Sequence, residues 1–433
     1  MRGWPAALLL PLVLAACSLP GLGAGQTPTT TATLVPPTIP PTLTPPATVT
    51  AVPTGPGPPT QPPPTMGPTV GLPPLAAGAE AVVLEIVMTD ANRGWAIGGV
   101  AGDDLRLLRT TDGASSWRDV SPPIHQDWVD SGYRSVMAPL SSEEAWFLRY
   151  RPLQSPEPTG DVAAVWVTKD GGGSWQLGDP TAVLFLGTQG SPPYLVATES
   201  GQGWLLARAG GAGMHQYPVS LLRTTDGAQH WQVLSDPFDL AADGLMSCYK
   251  SGMSFASNGT GLLTIESCPV TGAEVRTTQD GGLTWDAQLL PEPADSPGIY
   301  DEGVCESHSP LVADEGQMTA GVTCRLFEPE TTEAYIYRSG DGGASWQAEP
   351  YPGGDLHRID LLTLWATTRQ LWRSLDGGQT WEQRKEVFWD GQFSFVSAEL
   401  GWAVAQEEDE LALVRTDDGG ETWAIVEPVI QAD

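Results

Sequence analysis

Basic side chains are scarce in this 433-residue chain: 21 Lys and Arg stand against 52 Asp and Glu, a net charge of −31 at pH 7. Phosphate backbones and anionic lipid headgroups attract a positive surface, so the balance excludes nucleic acid as a partner and favours solubility or cationic partners. Histidine is as sparse, at five residues. There is no His-Glu-x-x-His pair, no Gly-x-Ser-x-Gly elbow and no phosphate-binding glycine loop. His125, His215, His308 and His357 stand isolated and read as loop residues. The acidic run Glu407-Glu408-Asp409-Glu410 reads as a solvated turn rather than a Ca²⁺ loop. No cofactor and no metal are expected. Stretches with helical periodicity are missing as well.

Cysteine is limited to five positions. The first, Cys17, ends an N-terminal signal with a basic Arg2, an apolar run from Ala6 to Leu14 and the tetrapeptide Leu14-Ala15-Ala16-Cys17, too short for a membrane span. That tetrapeptide resembles the bacterial lipobox. The resemblance implies cleavage after residue 16, acylation of Cys17, and an extracytoplasmic protein held on a bacterial membrane by its lipid anchor. Residues 17–77 are then a lipidated Cys and a Pro/Thr-rich linker without a charged residue from Ser18 to about Leu75. Such a composition cannot bury a core, so it is expected to be an extended, disordered stalk.

What the chain has in abundance is glycine, at 50 residues, and tryptophan, at 17. They fall into a repeat. Seven short segments end at Trp117, Trp175, Trp231, Trp285, Trp346, Trp381 and Trp423. Five residues before each Trp stands Asp112, Asp170, Asp226, Asp280, Asp341, Asp376 or Asp418. Two before each Asp is Thr or Ser, and three before each Trp is Gly or Ala. This is a hairpin turn, closed by the carboxylate and permitted by a residue of positive φ. The Asp side chains therefore read as structural rather than catalytic, and His230 falls inside one such turn. The Trp that follows is expected to fold over the turn and supply much of the core, at up to roughly 4–6 kcal/mol each. Upstream of most copies a Gly-Trp-Ala-like segment opens a second strand, as at Gly94-Trp95-Ala96 and Gly401-Trp402-Ala403, with another short strand before it. Four short strands per unit, at Trp spacings of 35 to 61 residues, predict a seven-bladed β-propeller over residues 78–433. The short sixth unit is expected to have a missing or irregular strand, and the strand after Trp423 to let the ring close without strand exchange.

The motif Thr-x-Asp-Gly-Gly-x-Thr-Trp resembles the Asp-box, or BNR-type, repeat of sialidases and sortilins. With the upstream Gly-Trp-Ala strand it is most similar to the photosystem II stability/assembly factor family of propellers. That resemblance implies a protein-binding, assembly-factor-like scaffold on a membrane or envelope complex. The alternative is a carbohydrate-binding or divergent glycoside-hydrolase, sialidase-like propeller. The sialidase family needs an arginine triad whose first member lies in an Arg-Ile-Pro-like motif ahead of the first box; here Arg93 and Arg106 lack that context. A non-enzymatic protein is therefore expected.

The remaining cysteines form two similarly spaced pairs in successive units. Hairpin turns at Ser257-Asn258-Gly259 and Asp314-Glu315 place Cys248 near Cys268 and Cys305 opposite Cys324, which predicts two disulfides within blades. Partner-binding residues are sought in the loops between blades and between second and third strands. Trp128, Tyr133, Arg151, His215, Tyr217, Arg325 and Phe327 are the aromatic and basic candidates there, for a protein or a glycan.

Overall fold

A computed structural model of the chain describes residues 69–125, 133–150, 163–178, 192–208, 219–236, 245, 248–266 and 271–432. Seven antiparallel sheets follow one another, each a meander of four strands, and they close into a seven-bladed β-propeller. The first strands, such as Val82–Met88, Tyr249–Phe255 and Asp390–Phe395, pack against one another from blade to blade and line the axis. The fourth strands, such as Ser116–Asp119 and Glu382–Glu386, lie outermost.

The repeated turn joins the third and fourth strands and is built alike in all blades. In the fourth blade, Thr278 Oγ1 donates to Asp280 Oδ1 at 2.8 Å and accepts from the Gly282 N–H at 2.9 Å. Asp280 then accepts from Thr284, from N–H at 2.9 Å and from Oγ1 at 2.6 Å. The carboxylate thus reaches forward across the turn and satisfies backbone donors that a tight hairpin leaves open. In six blades the turn's first glycine also donates to the carbonyl of the first hairpin beside it, for example Gly113 to Asn92 and Gly419 to Glu399. These contacts place the aspartate turns and the first hairpins at one end of the barrel of blades. The other end carries the connections between blades.

The core differs from the expectation in one respect. Of the tryptophans that follow the aspartate turns, only Trp117 and Trp231 are buried. Apart from Trp117, the fully buried tryptophans are those of the second strands: Trp95, Trp146, Trp204, Trp365 and Trp402. The physical reason is position. A second strand has a neighbour on both sides and a blade on both faces, whereas the turn Trp begins an outer strand with one open edge. Trp204 and Trp365 stack face to face on Phe255 and Phe395 of the next blade, with ring centroids 3.9 Å apart in both pairs. Trp204 and Trp402 also donate their indole N–H to the turn carbonyls of Gly281 and Gly113 in the following blade.

The scarce arginines have a recurring place in this packing. Arg109, Arg223, Arg338, Arg373 and Arg415 each precede the hydroxyl residue of a turn. Arg109, Arg223, Arg373 and Arg415 lie over the second-strand Trp of their own blade at 5.2–6.0 Å. Arg223 and Arg373 reach on to carbonyls of the next blade, at Asp280 and Ala398. Arg338 does the same to Gly377.

Three expectations about the ring are refined. The sixth blade lacks no strand: Asp355–Arg358, Leu364–Thr367, Gln370–Ser374 and Glu382–Glu386 are all present, its irregularity is a register shift between Leu371 and Trp372, and the unit is short because Thr368 and Arg369 alone join its second and third strands. Closure exchanges none of the four strands that each blade takes from consecutive sequence, and it adds a fifth strand to blade one. After Ala424–Val426 completes blade seven, Val429–Ile430 adds to Ser116–Trp117 of blade one in parallel, and Gly78, Ala79 and Ala81 hydrogen-bond to it from the other side. The packed body also begins before residue 78, since Thr69–Val70 pairs with Ile124–His125.

Cys305 and Cys324 are directly opposed and disulfide-bonded, with Cα atoms 4.0 Å apart. The register that brings them together is not the simple one expected. Leu311 faces Thr319, one residue beyond Met318, and a bulge between His308 and Leu311 restores the alignment at the cysteines. Cys248 is also disulfide-bonded. Cys268, like Cys17 and the signal and stalk up to residue 68, lies outside the described residues.

Candidate functional site

A first strand has one edge paired to the second strand and one edge open to the axis. Open edges carry unpaired N–H and C=O groups that need partners. Here polar side chains of one blade supply them to the next. Gln392 accepts from the Ile86 N–H at 2.8 Å and donates to the Ile86 carbonyl at 3.0 Å. The Tyr194 hydroxyl donates to the Ser251 carbonyl at 2.8 Å, and Ser251 Oγ to the Ser307 carbonyl at 2.6 Å.

These residues share a level. The first and second strands of the blades meet last at Met88–Gly94, Pro139–Ala145, Ala197–Gly203, Phe255–Gly261, Val312–Met318, Arg358–Leu364 and Phe395–Gly401. Three residues before each of these pairs stand Glu85, Val136, Tyr194, Gly252, Ser309, Asp355 and Gln392. They form a ring about the axis, one residue from each blade. Three of the seven strands are bulged at this level: at Leu84 beside Glu85, at Ser251 beside Gly252, and at Ser309. Ser309 adopts φ 49°, a left-handed conformation that costs a non-glycine residue energy. Bulges re-aim side chains and gather at functional sites.

The members of this ring are not equally occupied. Gln392 and Tyr194 hold neighbouring edges, as does Ser251 beside the ring's Gly252, and Ser309 Oγ donates to Asp355 Oδ1 at 3.3 Å. Asp355 is otherwise open to solvent. Glu85 is partly buried and, among the described residues, its carboxylate has neither a hydrogen bond nor an ion pair. Desolvation by burial raises its carboxyl to about 7, from 4.5. It is an acid group held near half-protonation at neutral pH, in a place where Gln392 and Tyr194 bond to the next blade's edge.

Two histidines expected in loops sit on the first strands of blades five and six. His308 meets Thr323 Oγ1 at 3.0 Å, Tyr351 OH at 3.2 Å and Ser309 Oγ at 3.2 Å; His357 meets Thr367 Oγ1 at 3.0 Å. Desolvation lowers both below the usual imidazole value, so they stand neutral behind Ser309 and Asp355. His230, as expected, closes an aspartate turn, with Nδ1 2.7 Å from Asp226 Oδ2.

Of the expected partner-binding residues, Trp128, Arg151, His215 and Tyr217 lie outside the described residues. Tyr133 is no surface anchor. It is buried, donates to the Leu105 carbonyl at 3.3 Å and packs its ring against the Arg149 guanidinium at 5.0 Å, which ties blade two to blade one. Arg325 and Phe327 are exposed on one hairpin of blade five, Phe327 at 64%. Glu85 and Asp355 escaped the sequence reading, although a signal was present: each ring residue stands nine positions before the residue that opens its second strand.

No family model matches the chain and no curated protein does. Solved structures do. An ulvan lyase, the founding structure of a family of polysaccharide lyases, is 12% identical over 82% of this chain and 97% of its own, with a TM-score of 0.46. An α-L-arabinanase from Penicillium chrysogenum, complexed with arabinobiose, is 14% identical over 66% of this chain and 95% of its own, at 0.42. A prolyl endopeptidase is 12% identical over 82% of this chain and 49% of its own, at 0.49. All are similar in fold alone. Against the expectation of a non-enzymatic protein, these neighbours in fold are a polysaccharide lyase, an arabinanase and an endopeptidase.

Proposed function

We propose that the propeller is a carbohydrate-active enzyme, a divergent glycoside hydrolase that takes a glycan at its axis, with Glu85 as acid and Asp355 as base. The observation that carries this reading is Glu85, a carboxyl without a partner on a bulged strand, in a ring where Gln392 and Tyr194 hold the next blade's edge and Asp355 faces solvent. Glycoside hydrolysis needs two carboxyl groups of opposite duty, one protonated and one accepting. Glu85 and Asp355 stand on blades one and six, on either side of Gln392 of blade seven. In the proposed reaction Glu85 gives its proton to the leaving glycosidic oxygen as the C–O bond breaks. A water oxygen bonds to the anomeric carbon, and Asp355 receives the proton that water releases.

The test is release of reducing ends from a panel of polysaccharides by the full-length chain. Turnover by the native protein and its loss in Glu85→Gln and Asp355→Asn, with unchanged melting behaviour in the second variant, support the reading. Equal activity in native and variant proteins, or none on any glycan, overturns it. A second reading, a membrane-tethered scaffold of the assembly-factor kind anchored through Cys17, draws on the exposed Arg325–Phe327 hairpin. Recovery of one membrane complex by cross-linking, lost when Phe327 is replaced by Ser, would favour it.

A further inference from the structure

The connection from blade six to blade seven crosses from the outermost strand Glu382–Glu386 to the innermost strand Asp390–Phe395, on the end away from the aspartate turns. Its three residues are apolar, and they are treated differently by the fold. Val387 is buried and its N–H donates to the Arg369 carbonyl at 2.7 Å. Trp389 lies across Gly391, where a Cβ would sit 2.6 Å from the ring; it stacks on Phe393 at 5.6 Å and meets the edge of Trp423 at 5.8 Å. Phe388, between two anchored neighbours, is left 71% exposed. A phenyl ring held out by a pinned backbone loses little entropy on binding.

Beside it stands a polar pair. Arg369, on the tight turn of blade six, engages Asp390 with both prongs, Nε to Oδ1 at 3.0 Å and Nη2 to Oδ2 at 2.9 Å. Both side chains are more than 60% exposed, so the pair contributes little to stability. It does hold a planar array of donors and acceptors, with Asp390 two residues along the chain from the exposed Phe388. Asp390 is two residues above Gln392 of the axial ring, a strand rise of roughly 7 Å. The array is charge-balanced in itself, while the chain around it is strongly acidic and the exposed Glu407–Glu410 turn belongs to the same blade.

We infer that Phe388, Arg369 and Asp390 form a subsite for an uncharged pyranose ring at the mouth of the axis, the aromatic face taking the sugar's C–H face and the ion pair its hydroxyls. The inference rests on the carbohydrate reading and narrows it to neutral glycans, because uronates and sulfated sugars meet a negative field here. The experiment is titration calorimetry of full-length protein with cello-, manno- and xylo-oligosaccharides and with oligogalacturonate, using native protein, Phe388→Ala, Arg369→Met and Glu85→Gln. A neutral oligosaccharide bound by native protein and by Glu85→Gln, and at least tenfold more weakly by Phe388→Ala and Arg369→Met at unchanged melting temperature, is the expected result. Affinity unchanged in Phe388→Ala, binding of oligogalacturonate only, or no binding at all overturns the subsite. Neutral binding of the expected pattern without turnover would leave the subsite standing and remove the hydrolase reading.

Discussion

Two positions of the repeat can be compared across all blades. At the turn between third and fourth strands the residue is Asp seven times. At the axial ring it is Glu, Val, Tyr, Gly, Ser, Asp and Gln. The turn answers a backbone demand that every blade makes alike, and the same carboxylate meets the same donors each time. The axial position has a neighbour that differs from blade to blade, and where Gln392 or Tyr194 serves the next edge the position is structural. Glu85 serves none. Uniformity marks the fold, and departure from a shared structural duty marks the site.

The largest effect that would break this comparison is on turnover. Glu85→Gln removes a dissociable proton with little change of shape and is expected to cut kcat on a cleaved glycan by about 10²–10⁴-fold. In native protein the active form carries the proton, so kcat/KM should fall as pH rises through about 7. Replacing a turn carboxylate, such as Asp280→Asn, should change activity only as far as it unfolds the blade.

Next in size is the core. Trp402 is fully buried and donates to blade one across the closure of the ring. Trp402→Ala should cost about 3–5 kcal/mol, measured by urea denaturation. Trp346→Ala, which removes a partly exposed turn ring, should cost clearly less. Equal costs would restore the expectation that the turn tryptophans dominate the core. A smaller effect belongs to the turn itself. The Thr278 hydroxyl is buried and makes bonds on both sides, so Thr278→Val should cost about 1–3 kcal/mol.

The architecture was legible because it is written in identical residues: the Asp column, the hydroxyl two before it, and the Gly-Trp that opens the second strand. The Cys305–Cys324 pair was legible too, although a bulge at Ser309 and a longer turn cancelled each other to produce it. The site was not. Glu85, Asp355 and Gln392 share a column, but the column has no common residue to draw the eye, and its meaning depends on which side chain finds a neighbour's open edge. The sixth blade misled for a related reason, since a two-residue turn at Thr368–Arg369 shortens a unit as effectively as a missing strand does. Tyr133 misled because an aromatic ahead of a first strand looks the same whether it faces a partner or the Arg149 of its own fold.

The finest separation of the two positions is by pH, because they titrate in opposite senses. Hydrogen bonds from Ser174, Ser345, Thr380 and Thr422 hold Asp170, Asp341, Asp376 and Asp418 at about 2, against 3.8. A depressed carboxyl contributes stability that is complete above its unfolded value and is lost as pH falls, here from 3.8 through about 2. Glu85 is raised, so the folded state binds the extra proton between 4.5 and about 7, and stability declines as pH rises across that window. His308 and His357, lowered by desolvation, add a third contribution that weakens as pH falls below 6.5. The native and Glu85→Gln proteins share the aspartates and the histidines, so their difference isolates Glu85. That difference should be small at pH 4.5 and grow to about 3 kcal/mol in favour of the variant at pH 8, while the acid limb below pH 4 stays superimposed. A constant difference across the range would mean that Glu85 titrates normally and would return its position to the structural set.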